Sequence, residues 1–286
     1  MTRYTSTIIA ISLAALISSA TAATAQFSAQ PSNTPVGDNY KVELFGGLWE
    51  PSHDLTVASN AFGIVGTIID AKRDLGIASR RFPEFRLRLR PGRKHRIRID
   101  YLPIEYRATT AIERRIIFRG IAHEPGISIS STLNWKTWRF GYEYDLIHRS
   151  RGYFGLIVEA KYTDLEASLD TSLGHEFVRA SGPIPAIGAV LKVYPLPIFS
   201  IAGEITAFGL PDDPGSTGDS ILGAFDANRF PYTGTYIDFD ISGTLNFTRN
   251  FGAQIGYRSL DLNVSSNEDL AALKLTGPYI GAVVRY

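Results

Sequence analysis

The chain has 286 residues, with 29 Lys and Arg against 28 Asp and Glu, and no Cys. A formal net charge of +1 gives no electrostatic ground for a nucleic-acid partner, and the lack of Cys excludes disulfide frameworks, thiolate metal sites, iron–sulfur clusters and cysteine nucleophiles. With 44% hydrophobic and 12% aromatic residues the composition is that of a folded protein, yet the mean hydropathy of −0.01 is far below that of helical membrane proteins.

At the N-terminus Arg3 precedes an apolar run from Ile8 to Ile17, followed by small residues ending Ala23-Thr24-Ala25. The run is too short to span a bilayer as a helix, and the small-x-small ending predicts a signal peptide over 1–25 with cleavage before Gln26. Residues 26–38 read as an extended polar leader. Beyond them no apolar stretch of about 18 residues offers a transmembrane helix.

From Tyr40 onward the repeating signal is alternation. Phe85-Arg86-Leu87-Arg88-Leu89-Arg90, a Pro91-Gly92 turn and His95-Arg96-Ile97-Arg98-Ile99-Asp100-Tyr101 predict a hairpin with one apolar and one charged face. Read this way, ten strands are expected near 40–50, 83–90, 94–106, 130–146, 153–165, 182–194, 198–208, 234–247, 251–262 and 272–286. Most are longer than soluble strands, which centre on about 5–6 residues, and long enough for a tilted bilayer crossing of about 9–11. Their connections alternate between short (91–93, 147–152, 195–197, 248–250) and long (51–82, 107–129, 166–181, 209–233, 263–271), the two-rimmed pattern of an even-stranded transmembrane barrel.

The predicted architecture over 39–286 is therefore an all-β, antiparallel transmembrane β-barrel of about ten strands, with eight or twelve as alternatives. Arg114–Arg119 paired with Gly126–Ser130 would add a hairpin or a strand extension above the membrane. A charge on the lipid face costs about 2–4 kcal/mol at the midplane, so the charged face is assigned to the lumen. It receives Arg86, Arg88, Arg96, Arg98, Arg139, Lys161, Lys192, Arg258 and Arg285, with Glu43, Asp100, Glu143, Asp145, Glu159, Glu204, Asp238 and Asp240. Trp49, Tyr106, Trp135, Tyr144, Tyr194, Tyr279 and Tyr286, near segment ends, are expected in interfacial girdles. On this reading most hydrophobic residues coat the outside.

The last strand places Ile280, Ala282, Val284 and the terminal Tyr286 on one face. That resembles the C-terminal assembly signature of bacterial outer-membrane β-barrel proteins. The resemblance implies residence in the bacterial outer membrane after export through the periplasm, with outer-membrane lipids and, during biogenesis, the barrel-assembly machinery as partners.

Three functions are compatible with such a chain. The first is a structural or surface-binding barrel whose lumen is filled by a charged side-chain network, the interior of a ten-stranded barrel being only slightly wider than that of the filled eight-stranded ones. The alternative is a narrow porin-like channel for small solutes, anions included, drawn by the arginine ladder. The third, an outer-membrane enzyme acting on lipid or peptide, finds little support. His148-Arg149-Ser150 falls in a short turn on the wrong rim, and the paired Asp238 and Asp240 lack the accompanying His of an omptin-like site. His53-Asp54 and His123-Glu124 sit in outer loops, and Asp212-Asp213 reads as a solvated loop tip. No catalytic, cofactor or metal residues are assigned, and the long outer loops are where a surface ligand is expected to bind.

Overall fold

The computed structural model describes residues 35–59, 69–70, 74, 76, 78–111, 113–118, 121–171, 174–210, 233–265 and 269–286. The expected signal peptide, most of the leader, most of the apolar stretch 63–76 and the Asp212-Asp213 tip lie outside the described residues. The strands are β1 (Val42–Trp49), β2 (Ser52–Ser59), β3 (Ile69–Asp70), β4 (Phe82–Gly92), β5 (His95–Ala111), β6 (Ile116–Phe118), β7 (Ile121–His123) and β8 (Ser128–Arg149). They continue as β9 (Gly152–Thr171), β10 (Gly174–Leu196), β11 (Phe199–Leu210), β12 (Thr233–Asn246), β13 (Phe251–Ser265) and β14 (Asp269–Arg285).

Ten of these close a barrel in the order β1, β4, β5, β8, β9, β10, β11, β12, β13, β14, and β14 pairs back onto β1. All ten expected segments are present, most of them extended at the outer end. Part of the first long loop is itself strand. The chain breaks after Trp49 at Glu50-Pro51 and resumes as β2, which lies on the outer part of β14 and carries β3. The break brings Glu50 so close to β14 that a Cβ on Gly277 would lie 2.2 Å from the Glu50 carbonyl oxygen. The hairpin expected around 114–130 forms between β6 and β7 instead, with Ile116 opposite His123.

The strands outrun the bilayer. β8, β9 and β10 have 22, 20 and 23 residues, which at ~3.3 Å per residue and a ~45° tilt reach roughly 50 Å, against ~25–30 Å of apolar band. The outward-facing apolar residues are confined to the inner, turn-proximal part. On β8 they run from Leu146 through Tyr144, Tyr142 and Phe140 to Trp138, and on β9 from Leu156 and Val158 to Tyr162.

Above Trp138 the two faces exchange chemistry. On β8 the outward positions become Lys136, Asn134, Thr132 and Ser130, while the inward ones become Trp135, Leu133 and Ile129, all buried. On β5 the inward row passes from Arg96, Arg98 and Asp100 to Leu102, Ile104 and Tyr106, and the outward row from Ile97 to Glu105 and Arg107. A β-bulge would produce the same swap in sequence while keeping each chemistry on its own side. The pairing of β5 with β8 runs unbroken from His95↔Tyr144 to Ala111↔Ser128, so the inversion is real. Its cause is the solvent: lipid outside demands an apolar wall, and water outside the protruding part demands a polar wall over an apolar core.

The inverted upper part encloses that core. Trp49, Phe82, Leu102, Ile104, Tyr106, Leu133, Trp135, Tyr236, Leu260 and Leu275 pack together inside the barrel with Leu273 and Ile129. Among the described residues the exposed large hydrophobics still outnumber the buried ones, so this interior cluster adds to the apolar coat expected on the outside rather than replacing it. It also moves five of the seven girdle assignments: Trp49, Tyr106, Trp135, Tyr194 and Tyr279 are buried in the interior, while Tyr144 and Tyr286 face out. The outer belt is instead edged by Trp138, Tyr162 and Tyr257, with Tyr101 stacked on Trp138 at 4.4 Å between ring centroids.

At the opposite, periplasmic rim the described start of the chain crosses the mouth. The Val36 amide donates to the Pro197 carbonyl (2.7 Å) in the β10–β11 turn, which is five strands from β1 in a ring of ten. The Asp38 carbonyl accepts from the Arg90 guanidinium and its carboxylate from the Tyr194 hydroxyl (3.4 Å). Gly37 makes the crossing with φ +88°, where a Cβ would meet Arg285 Nη1 at 2.7 Å and Asn246 Oδ1 at 2.8 Å, so this position needs glycine.

Candidate functional site

At membrane level the alternation sends every second side chain into the lumen, and the charged ones meet there across strands. Arg139 on β8 is the hub: its Nη2 pairs with Glu159 on β9 (2.9 Å) and Glu204 on β11 (3.0 Å), its Nη1 with Asp238 on β12 (3.4 Å) and Asp100 on β5 (3.6 Å). Lys161 pairs with Glu159 (3.1 Å) and Asp238 (3.3 Å) and donates to the Thr206 hydroxyl (2.9 Å). Arg258 holds Asp238 with two nitrogens (2.7 and 2.9 Å) and Glu84 with a third (2.6 Å). Arg86 joins Glu84 and Asp240, both at 2.9 Å.

Nearer the periplasmic rim, Arg98 pairs with Glu143 (3.0 Å) and Glu204, Arg96 with Glu143 (2.9 Å) and Asp145, Arg88 with Asp100, and Arg285 with Glu43 (2.5 Å). Guanidinium groups bridge two carboxylates at a time because their forked donors are planar and their charge is permanent. Aromatic rings close over the cations: Trp49 over Arg258, Tyr236 over Lys161, Tyr153 over Arg96, and Phe45 and Tyr279 over Arg86.

All twelve residues singled out for the lumen network (Arg86, Arg88, Arg96, Arg98, Arg139, Glu143, Asp145, Glu159, Lys161, Asp238, Asp240 and Arg258) face inward and are buried or nearly so. Glu43, Asp100, Lys192, Glu204 and Arg285 line the same space. The sequence reading missed Glu84, though it shares the parity of Arg86 and Arg88. With it, nine cations face nine carboxylates at membrane level among the described residues. Asp238 and Asp240 do not form a pair with each other. The first binds Arg258, Lys161 and Arg139, and the second binds Arg86 and the Tyr279 hydroxyl (2.9 Å).

Of the histidines, His148 ends β8 and contacts Asp145 (3.0 Å), and His95 faces outward against the Tyr142 hydroxyl (2.5 Å). His53 lies on β2 rather than in a loop, opposite Leu275. Ile280, Ala282, Val284 and Tyr286 project outward from the lower part of the barrel.

The lumen is thus filled in layers. The apolar cluster occupies the protruding part, the ion-paired layer lies beneath it, and a polar cavity of about 80 Å³ remains in the periplasmic half, bordered by Tyr40, Tyr153, Lys192, Thr244 and Arg285. Tyr40 stands just before β1, where burial, reinforced by Glu43, pushes its phenol up to about 12.

No protein-family model matches the chain, and no curated protein matches it in sequence. Among solved structures it is similar to the outer membrane protease OmpT from Escherichia coli, with 9% identity, 90% of this chain and 99% of that chain covered, and a TM-score of 0.57. Fainter likenesses are to a Pseudomonas aeruginosa FadL homologue (9% identity, 86% and 70% covered, TM-score 0.39) and the Pseudomonas putida toluene transporter TodX (8%, 86% and 90%, 0.34). The likeness to the first is one of fold. That fold is a closed ten-stranded antiparallel barrel with an outward-facing apolar belt.

Proposed function

We propose that this outer-membrane barrel is a closed, non-conducting stem that performs no catalysis and acts structurally or by binding at its outer rim. The observation that carries this reading is the double filling of the lumen. A solute crossing the barrel would have to displace both the cluster around Trp49, Trp135 and Tyr106 and the salt-bridged layer around Arg139. Neither layer depends on a loop that could swing aside, because every residue in both is held on a strand. The protruding upper barrel, with its polar wall and the β6–β7 hairpin, supplies a rigid platform above the membrane, which suits recognition at a surface.

Purified, refolded protein in planar bilayers tests this. The expected record has no conductance steps, both for the native chain and for a variant with Trp135→Ala, since the ion-paired layer stays closed beneath the vacated space. Discrete conductance steps from the native chain would overturn the reading in favour of a narrow porin-like channel.

A further inference from the structure

The lumen charges balance in number but not in place. Eight of the nine cations touch a carboxylate directly; Lys192 on β10 makes no contact ion pair among the described residues, although its charge acts on Glu43, and the Tyr194 ring stands 5.4 Å from Nζ. Lys192 is nevertheless buried, at 8% exposure, and it borders the periplasmic cavity. An ammonium group taken from water without a counter-charge is costly, and nearby carboxylates normally relieve it. Here each is held by an arginine as well: Glu43 by Arg285, which shares it with Lys192, Glu143 by Arg96 and Arg98, Glu204 by Arg98 and Arg139, Asp240 by Arg86. Six cationic side chains and only those four carboxylates line the cavity.

The remaining lining suits an oxygen-rich anion. Tyr40, Tyr153 and Thr244 line the same space as Lys192, so three hydroxyl-bearing side chains share the cavity with its ammonium. A volume of about 80 Å³ admits roughly five water-sized groups, the number of heavy atoms in phosphate. Above, the ion-paired layer closes the cavity; below, residues 35–40 cross the mouth, with Tyr40 contributing to the floor.

We propose that the periplasmic half of the lumen is a binding site for one small oxyanion, phosphate or a short carboxylate, with Lys192 as its counter-charge and Tyr40, Tyr153 and Thr244 as hydrogen-bond donors. Thermal unfolding of the full chain, refolded in neutral detergent and followed by its heat-modified gel mobility, tests the site. Sodium chloride is replaced stepwise by sodium phosphate or sodium acetate at constant ionic strength. The expected result is a saturable rise in the midpoint with at least one of the two anions, acetate reporting a carboxylate site and phosphate a phosphate site. In Lys192→Gln the concentration for half-effect rises at least tenfold. A midpoint that follows chloride alone, or an equal shift in Lys192→Gln, overturns the proposal. Should Lys192→Gln fail to fold, the double variant Tyr153→Phe with Thr244→Val carries the same test: a weakened half-effect supports the site, and an unchanged one overturns it.

Discussion

Arg139 shows how much one lumen side chain can hold together. Four carboxylates from four strands surround its guanidinium, and removing it leaves them facing one another in a space from which water is largely excluded. Breaking a buried ion pair from one side costs about 3–5 kcal/mol, so Arg139→Ala is expected to lower barrel stability by that order in urea titrations in lipid vesicles. Arg81→Ala, which removes an exposed partner of Glu50 (2.7 Å), should stay below about 1 kcal/mol in the same titration. The inward direction of Arg139 is legible in the sequence, because parity within a strand fixes the face. Its partners are not, since Glu204 and Asp238 reach it only through the order and curvature of a closed barrel. That Lys192 touches no carboxylate directly is hidden for the same reason. So is the burial of Trp49 and Trp135, which a rule placing aromatics at strand ends assigns to the lipid interface.

Within a strand, the informative unit is the position at which the two faces trade roles. On β8 that point lies at Thr137 and Trp138, and it can be read in sequence as a slip of the apolar row from odd to even positions. Sequence alone does not separate a slip caused by a bulge from a true inversion; the unbroken register of β5 on β8 does. The end of the same strand supplies the contrasting case. A register shift between Asp145 and Ile147 turns Leu146 and Ile147 both outward, to 47% and 53% exposure. The inversion yields a paired test. Phe140→Arg puts a charge into the lipid belt and is expected to cost about 2–4 kcal/mol. Asn134→Arg, six residues away on the same face but above the belt, falls between Glu105 and Glu166 on the flanking strands and should be neutral or slightly stabilising. Equal costs at the two sites would show that the belt does not end at Trp138.

For the molecule as a whole, stability rests on charges that ions in solution reach poorly. Exposed pairs lose strength within a Debye length of about 10 Å at 0.1 M salt, whereas buried ones are screened much less. The urea midpoint of the native barrel should therefore change little between low and moderate sodium chloride, and a steep fall would place the stabilising pairs at the surface. The ten strands and the charged inner row at membrane level were legible from period two, but the full strand lengths were not, since β9 and β10 run through most of what reads as the loop 166–181. The layered interior was not, because the protruding part obeys the rules of a water-soluble barrel while sharing its strands with a membrane one.

The cross-barrel pairing also constrains how the chain enters the bilayer. Arg88 with Asp100, and Arg96 with Glu143 and Asp145, are neutralised by an adjacent strand. Arg258 with Glu84 and Arg86 with Asp240 join residues 174 and 154 positions apart in sequence. A hairpin inserted alone would lack these cross-barrel partners, keeping only the local ones, Glu84 for Arg86 and Asp238 for Arg258. The full set of ion pairs therefore forms only when β12 and β13 meet β4 across the lumen.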